Sequence, residues 1–259
     1  LSVIKHSKEY ELNKSYSTPT NRIITSLYSK KRFLFILKYA LVYVHKTNED
    51  GKPTIEKHIM RYPQIFATKA IAQKIKEGNK RGIIWHTQGS GKTALAYYNV
   101  KHLQDYFQKE NTIPKFYFIV DRLDLLKQAK TEFINRGLSV NIVNSKQEFV
   151  SDIKKASALH NSSGNNEITV VNIQKFSEES SSEAINDYDI NIQRVYFLDE
   201  VHRSYNPKGS FLANLINSDK NAIIIGLTGT HIKKKNLYSK DLFGDYIHKY
   251  YYNMSIADG

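Results

Sequence analysis

The sequence predicts an α/β fold, a mostly parallel sheet with helices on both faces. Three features predict it. From Arg81 onward, short apolar runs alternate with longer helical stretches. The runs lack polar alternation, as strands buried on both faces do. The first run opens into a glycine-rich turn and then a helix start, the order of a strand–loop–helix unit.

Taken in order, residues 1 to about 20 are polar and rich in Ser, Thr, Lys and Asn, and read as linker. Residues 21–46 read as a helix pair or one bent helix, because Leu27, Leu34, Leu37, Leu41 and Val44 recur at helical spacing. Asn48-Glu-Asp-Gly-Lys-Pro53 is a turn. A helix is expected from about Pro63 to Glu77, ended by Gly78-Asn79. Strands are expected at Gly82–Trp85, Phe116–Val120, Val140–Val143, Ile168–Val171, Val195–Leu198 and Ala222–Leu227. Helices between them are expected at Lys92–Phe107, Leu123–Arg136, Lys146–Leu159 and Pro207–Asn217. Ser162–Asn166 and Ser177–Ser182 read as exposed loops. Ligands of such sheets bind at the carboxyl ends of the strands.

Composition narrows the classes. With 41% hydrophobic and 12% aromatic residues, the 259-residue chain can bury a core and is not globally disordered. Cysteine is absent, which excludes disulfides and thiolate metal sites and fits a cytoplasmic location. The most apolar stretch, Phe33 to Val44, is too short to cross a bilayer and is interrupted by Lys38, so no membrane association is expected. Leu1 opens the chain without a signal-peptide pattern, and the sequence reads as a piece of a longer protein. Net charge is +13, and residues 1–80 hold 16 Lys+Arg against 6 Asp+Glu, while residues 81–259 hold 22 against 19. A basic first third suits a polyanion such as DNA; it is also what a solvated lysine-rich surface looks like.

His86-Thr-Gln-Gly-Ser-Gly-Lys-Thr93 follows the first strand. Gly89 and Gly91 let backbone N–H groups turn toward phosphates, and the helix that follows presents free donors and a positive dipole end. Thr87, Gln88, Gly89, Ser90, Gly91, Lys92 and Thr93 are therefore the candidate ATP-binding segment. Lys92 would reach the β/γ-phosphates and the Thr93 hydroxyl would ligate Mg²⁺. His86 stands where the strict phosphate-loop pattern has its first glycine, which favours helicase-like ATPases over simple kinases and GTPases. Gln193-Arg-Val-Tyr-Phe-Leu-Asp-Glu-Val-His202 is an apolar strand ending in two carboxylates and a histidine. Asp199 there can hold Mg²⁺, and Glu200 can orient a water and take its proton. His202, with Thr228, Gly229 and Thr230 at the end of a later strand, would couple nucleotide state to the rest of the fold. Thr-Gly-Thr is also an ordinary strand-end turn.

In this order the residues resemble superfamily 2 helicase-like ATPases, and more closely the motor (R, or HsdR) subunits of type I restriction enzymes. Arg61-Tyr-Pro-Gln64 resembles the adenine-side motif, His86–Thr93 motif I, and Val120-Asp-Arg-Leu-Asp124 with Gln128 motif Ia. Val171–Phe176 resembles the next DNA-side motif, Asp199–Ser204 motif II, and Gly226–Thr230 motif III. Phe243–His248, Tyr250 and Ala257-Asp-Gly259 resemble the end of the first motor domain. Two departures are His231, where motif III usually has Pro, and Asn172, where Thr is common.

The resemblance implies a RecA-like P-loop NTPase domain over residues 61–259, preceded by a helical linker region over 1–60 that follows an absent nuclease domain. It implies ATP-dependent translocation of double-stranded DNA in support of cleavage, with modification and specificity subunits as partners. Gln64 would read adenine, and Arg122, Gln128, Gln174 and Lys175 would touch the DNA backbone. Residues 1–60 hold no Asp…Glu-x-Lys nuclease constellation. Without the family's second motor domain and its arginine finger, which contributes ~10³ or more in rate in related phosphoryl transfer, the fragment is expected to bind nucleotide and turn it over slowly. Two alternatives belong to other classes. One is a truncated, non-catalytic assembly remnant. The other is a small-molecule P-loop kinase, whose arginine lid would have only Lys233-Lys-Lys235 as substitute.

Overall fold

A computed structural model describes residue 11 and residues 18–155, 159–173, 192–201, 219–230, 243–251, 253 and 255–256. Helix α1 (Pro19–Leu27) starts where the Thr18 hydroxyl accepts from Asn21 N–H, and α2 (Lys30–Phe35) continues into a π-helical turn at Ile36–Ala40. The helix expected through residue 46 stops at Ala40, and Leu41–Thr47 forms strand β1, paired antiparallel with β2 (Pro53–Ile59). Leu41 and Val44 fit a helical stripe, but Leu-Val-Tyr-Val-His also alternates, and β-branched valines suit a pleated surface. Val42 and Val44 are buried while Tyr43 and His45 are exposed. Ala40, Val42, Val44 and Met60 join the main core, so this region is not a purely helical linker. The turn expected between residues 48 and 53 is present, with Gly51 at φ 76°.

Helix α3 (Tyr62–Lys76) ends as expected, with Gly78 at φ 82° and Asn79 N–H donating to Lys74 O. Then follow β3 (Arg81–His86), α4 (Lys92–Lys109), β4 (Ile113–Val120), α5 (Leu123–Asn135), β5 (Ser139–Val143), α6 (Lys146–Lys154), β6 (Glu167–Asn172), β7 (Ile192–Leu198), β8 (Ile223–Thr228) and β9 (Tyr246–Tyr250). Strands β3 to β9 form one sheet in the order β5-β6-β4-β7-β8-β3-β9, and every pair in it is parallel. The α/β architecture and its six anticipated strands are therefore present. β9, which periodicity did not reveal, is a seventh and lies at the edge.

Successive residues of each central strand feed two cores. Phe116, Phe118 and Val120 pack with α4 and α5, while Tyr117 and Ile119 pack with α6 residues Phe149 and Ile153. This two-sided burial is why the strands read as unbroken apolar runs. Helix α6 is shorter than expected. It ends at Lys154, and Lys155 is extended at φ −65°, ψ 131°. A polar cluster lies nearby, in which the His160 ring meets Asp152 and Glu167, both at 2.5 Å, and Lys115 Nζ donates to Asp152 O. The loop at 162–166 is exposed apart from the half-buried Asn166. The helix expected at 207–217 and the loop at 177–182 lie outside the described residues. No described helix is long and apolar enough to cross a membrane.

Candidate active site

Parallel strands β3, β4, β7 and β8 bring their carboxyl ends to one edge of the sheet. The glycine loop leaves β3 there, Asp121 leaves β4, Asp199-Glu200 leaves β7, and Thr228-Gly-Thr230 leaves β8.

The loop turns at Gly89 (φ 77°) and Gly91 (φ 78°), and Gly91 caps α4 in the left-handed region. A Cβ on Gly91 would lie 2.7 Å from Gln64 Nε2, whereas one on Gly89 would meet nothing within 4 Å. Buried Gln64 explains the close approach. Its Nε2 donates to Gly91 O at 3.0 Å, and its Oε1 accepts from Arg61 N–H at 2.8 Å. Gln64 thus ties the start of α3 to the loop. Among the described residues, the buried Ser90 hydroxyl has no hydrogen-bond partner.

Lys92 Nζ lies 3.7 Å from Glu200 Oε1. A Cβ on Gly229 would stand 3.3 Å from the same Nζ and 3.5 Å from Gln88 N, so the third turn closes directly on the loop. Thr228 Oγ1 accepts from Thr230 N–H and donates to Thr230 O, which shapes that turn from within. Glu200 has φ 52°, a left-handed conformation that costs about 1 kcal/mol or more outside glycine. Neighbours hold it. Asp199 N–H donates to Ile119 O, and Val201 N–H donates to Leu227 O. Gly226 leaves room for Val201, whose Cγ1 would stand 3.1 Å from a Cβ there.

Burial first, and the adjacent Glu200 carboxylate second, push the Asp199 carboxyl up to about 6; Lys92 and the Glu200 N–H act the other way. Asp121 adds to the negative field. A buried carboxylate beside a second one is where a divalent cation offsets repulsion. Asp199 with the half-buried Thr93, the second residue of α4, could hold Mg²⁺, and the loop N–H groups and Lys92 could take phosphates. The residues present thus fit a magnesium nucleotide, which would supply charge neutralisation at the phosphates.

The structure brings together Gln64, Gln88, Ser90, Gly91, Lys92, Asp199, Glu200 and Gly229. Thr87 and Gly89 complete the loop between them. Arg122 and Gln128 are exposed, Arg122 at the sheet's carboxyl edge and Gln128 in the second turn of α5. Gln174, Lys175, His202, His231, Lys233–Lys235 and Ala257–Gly259 lie outside the described residues. Sequence reasoning missed the proximity of Asp121 to the acidic pair. Its position directly after a buried strand of the same sheet was the available signal.

A profile of the SWI2/SNF2 ATPases matches residues 63–259. The chain belongs to the SWI2/SNF2 ATPase family. As a member of that family it is a nucleotide-hydrolysing type of domain. It is 31% identical over 209 residues to a type I restriction enzyme endonuclease subunit of Staphylococcus saprophyticus, which covers 77% of this chain and 21% of the relative. The chain therefore spans about a fifth of that relative's length. Among solved structures it is similar to the ATP-dependent Type ISP restriction-modification enzyme LlaBIII bound to DNA, with TM-score 0.56 and 16% identity over 82% of this chain and 16% of that one. It is also similar to a fragment assigned as an HsdR subunit of a type I restriction enzyme from Vibrio vulnificus, with TM-score 0.51 and 16% identity over 93% of this chain and 47% of that one. These two likenesses bear on the fold, a RecA-like domain of the SWI2/SNF2 ATPase.

Proposed function

We propose that residues 61–259 are the first motor domain of a type I restriction endonuclease subunit, with residues 1–60 leading into it. In this reading ATP hydrolysis drives movement of double-stranded DNA in support of cleavage, within a cytoplasmic complex that includes modification and specificity subunits. The observation that carries it is the convergence of Lys92, Glu200 and Gly229 at the end of β3, with Asp199 buried beside them.

The roles are those the motif resemblance implies, and the positions of the described residues support them. Thr87 to Thr93 hold the phosphates, and Thr93 and Asp199 hold Mg²⁺. Glu200 orients the attacking water and accepts its proton. Gln64 serves the adenine side and anchors the loop. Exposed Arg122 and Gln128, with Gln174 and Lys175, contact the DNA backbone without reading sequence. His202 and Thr228 to Thr230 relay nucleotide state.

The test measures magnesium–ATP binding and turnover by the full chain, with and without duplex DNA, beside Lys92→Ala. The expected result is nucleotide binding that Lys92→Ala abolishes, with slow turnover both with and without duplex DNA; fast DNA-stimulated turnover by this chain would overturn the expectation of slow turnover. A Lys92→Ala protein with parental affinity and turnover would overturn the loop assignment. Duplex DNA that neither binds the chain nor changes its affinity for nucleotide would favour a non-motor role.

A further inference from the structure

Edge strand β9 pairs with β3 through an irregular register. Ile83 faces Tyr246, yet Ile84 faces His248, so Ile247 is an extra residue on β9. Such a bulge changes which face the following side chains take. Tyr246 packs beside Trp85, rings 5.6 Å apart, on the face that holds Ile83. Ile247 packs instead with the opposite core, the one containing Ile84. Gly82 makes this fit, because a Cβ there would run into the Ile247 side chain.

Beyond the bulge, His248 and Tyr250 both reach His86. The His248 Nδ1 and His86 Nε2 atoms are 2.8 Å apart, and the Tyr250 ring lies 5.9 Å from the His86 ring. Tyr250 O accepts from Thr87 N–H at 3.2 Å, and its ring meets Tyr62 of α3 edge-on at 5.6 Å. His86 is fully buried, and its Nδ1 has no hydrogen-bond partner among the described residues. Burial holds both rings neutral, His86 down to about 3 and His248 down to about 4. One ring can therefore donate N–H to the bare nitrogen of the other. A buried imidazole without that bond carries the desolvation penalty of an unmet polar group.

We propose that His248 is a positioning residue for the phosphate loop, fixing through His86 the strand end from which Thr87 to Gly91 depart. The inference rests on reading that loop as the ATP site. His86 occupies the position where the strict motif has a flexible glycine, so a side-chain anchor sets the loop stem here.

The experiment uses the full chain as parent, His248→Ala, His86→Gly and the double variant. Two quantities are read: affinity for a non-hydrolysed magnesium–ATP analogue, and amide hydrogen exchange at Thr87–Gly91 without nucleotide. His248→Ala is expected to weaken affinity about tenfold, the loss of one good hydrogen bond. It should also speed exchange in the loop while β4 and β7 stay protected. Adding His248→Ala to His86→Gly should change neither quantity further, because the two act as one unit. An unchanged loop in His248→Ala, or an equal loss in the His86→Gly background, overturns the proposal. Should His248→Ala fail to fold, His248→Asn and His248→Leu carry the comparison. Asn keeps a polar atom near the Nδ1 position and should retain loop protection, Leu keeps volume alone and should lose it, and equal behaviour overturns the proposal. A parent that binds no nucleotide would sink the ATP-site reading, and the exchange data would still decide the role of His248.

Discussion

Lys92 Nζ stands 3.7 Å from Glu200 Oε1, so the cation of the loop and the candidate base share one small volume. Glu200→Gln keeps the shape and removes the base. Turnover is expected to fall by about 10²- to 10⁴-fold, while nucleotide affinity stays within a few-fold of the parent. Single-turnover hydrolysis beside equilibrium binding checks this, and comparable losses in both would remove Glu200 from the chemical step.

Gly229 brings the third turn against the loop. Gly229→Ala would set a methyl 3.3 Å from Lys92 Nζ. The end of a lysine can move, so stability should change by less than about 0.5 kcal/mol. Affinity for magnesium–ATP should fall several-fold as Lys92 is displaced. Titration calorimetry and urea unfolding on the same variant separate the two effects.

Gly89 and Gly91 share a left-handed backbone but differ in surroundings. Alanine at either position meets strain of about 1–2 kcal/mol. Only Gly91→Ala also collides with the Gln64 amide, 2.7 Å away. Gly91→Ala should therefore destabilise more and impair binding more than Gly89→Ala. Equal unfolding midpoints would argue against the Gln64 anchor.

Acid should weaken the fold through its buried histidines. Burial holds His86 down to about 3 and both His102 and His248 down to about 4. An unfolded chain protonates these rings below about pH 6.5, and the fold does not. Stability is therefore lost as pH falls from about 6.5 toward 4. Asp199, pushed up to about 6, acts in the opposite sense, since its penalty is relieved as pH falls through that value. Three imidazoles outweigh one carboxylate. Urea midpoints should drop from about pH 7 to 5. His102→Leu, at a ring packed edge-on against Tyr39, should flatten that slope; an unchanged slope would exclude His102 as a source.

The buried Asp152 carboxylate joins three elements. It accepts from Tyr117 OH at 2.9 Å, faces Lys115 Nζ at 3.2 Å and meets the His160 ring. Asp152→Ala removes the buried carboxylate that faces Lys115 and accepts from Tyr117, and should cost about 3–5 kcal/mol. Chemical denaturation measures it; a change under about 1 kcal/mol would show that the cluster relaxes to water.

What could be read from sequence was whatever is local. Phe116–Val120 and Val195–Leu198 are buried on both faces, so their composition alone marks them as strands. The loop at Gly89–Thr93 and the pair Asp199-Glu200 carry their chemistry within a few consecutive residues. The β1–β2 hairpin was hidden because Val44 belongs both to a helical stripe with Leu41 and to a strand face with Val42. Strand β9, Tyr-Ile-His-Lys-Tyr, is half-exposed and bulged, so neither apolar runs nor alternation betray it. The meeting of His86 with His248 depends on a one-residue register shift between distant segments, which no local pattern encodes. Gln64 was read as an adenine contact, and its hold on Gly91 O is a property of the folded chain alone.

The hydrogen bond from Thr87 N–H to Tyr250 O makes the edge strand a tether on the nucleotide loop. A pull along β9 would reach the first residue of the loop through this bond as well as through the pairing of β9 with β3. With that loop as the nucleotide site proposed above, tension on β9 and nucleotide occupancy would each alter the other.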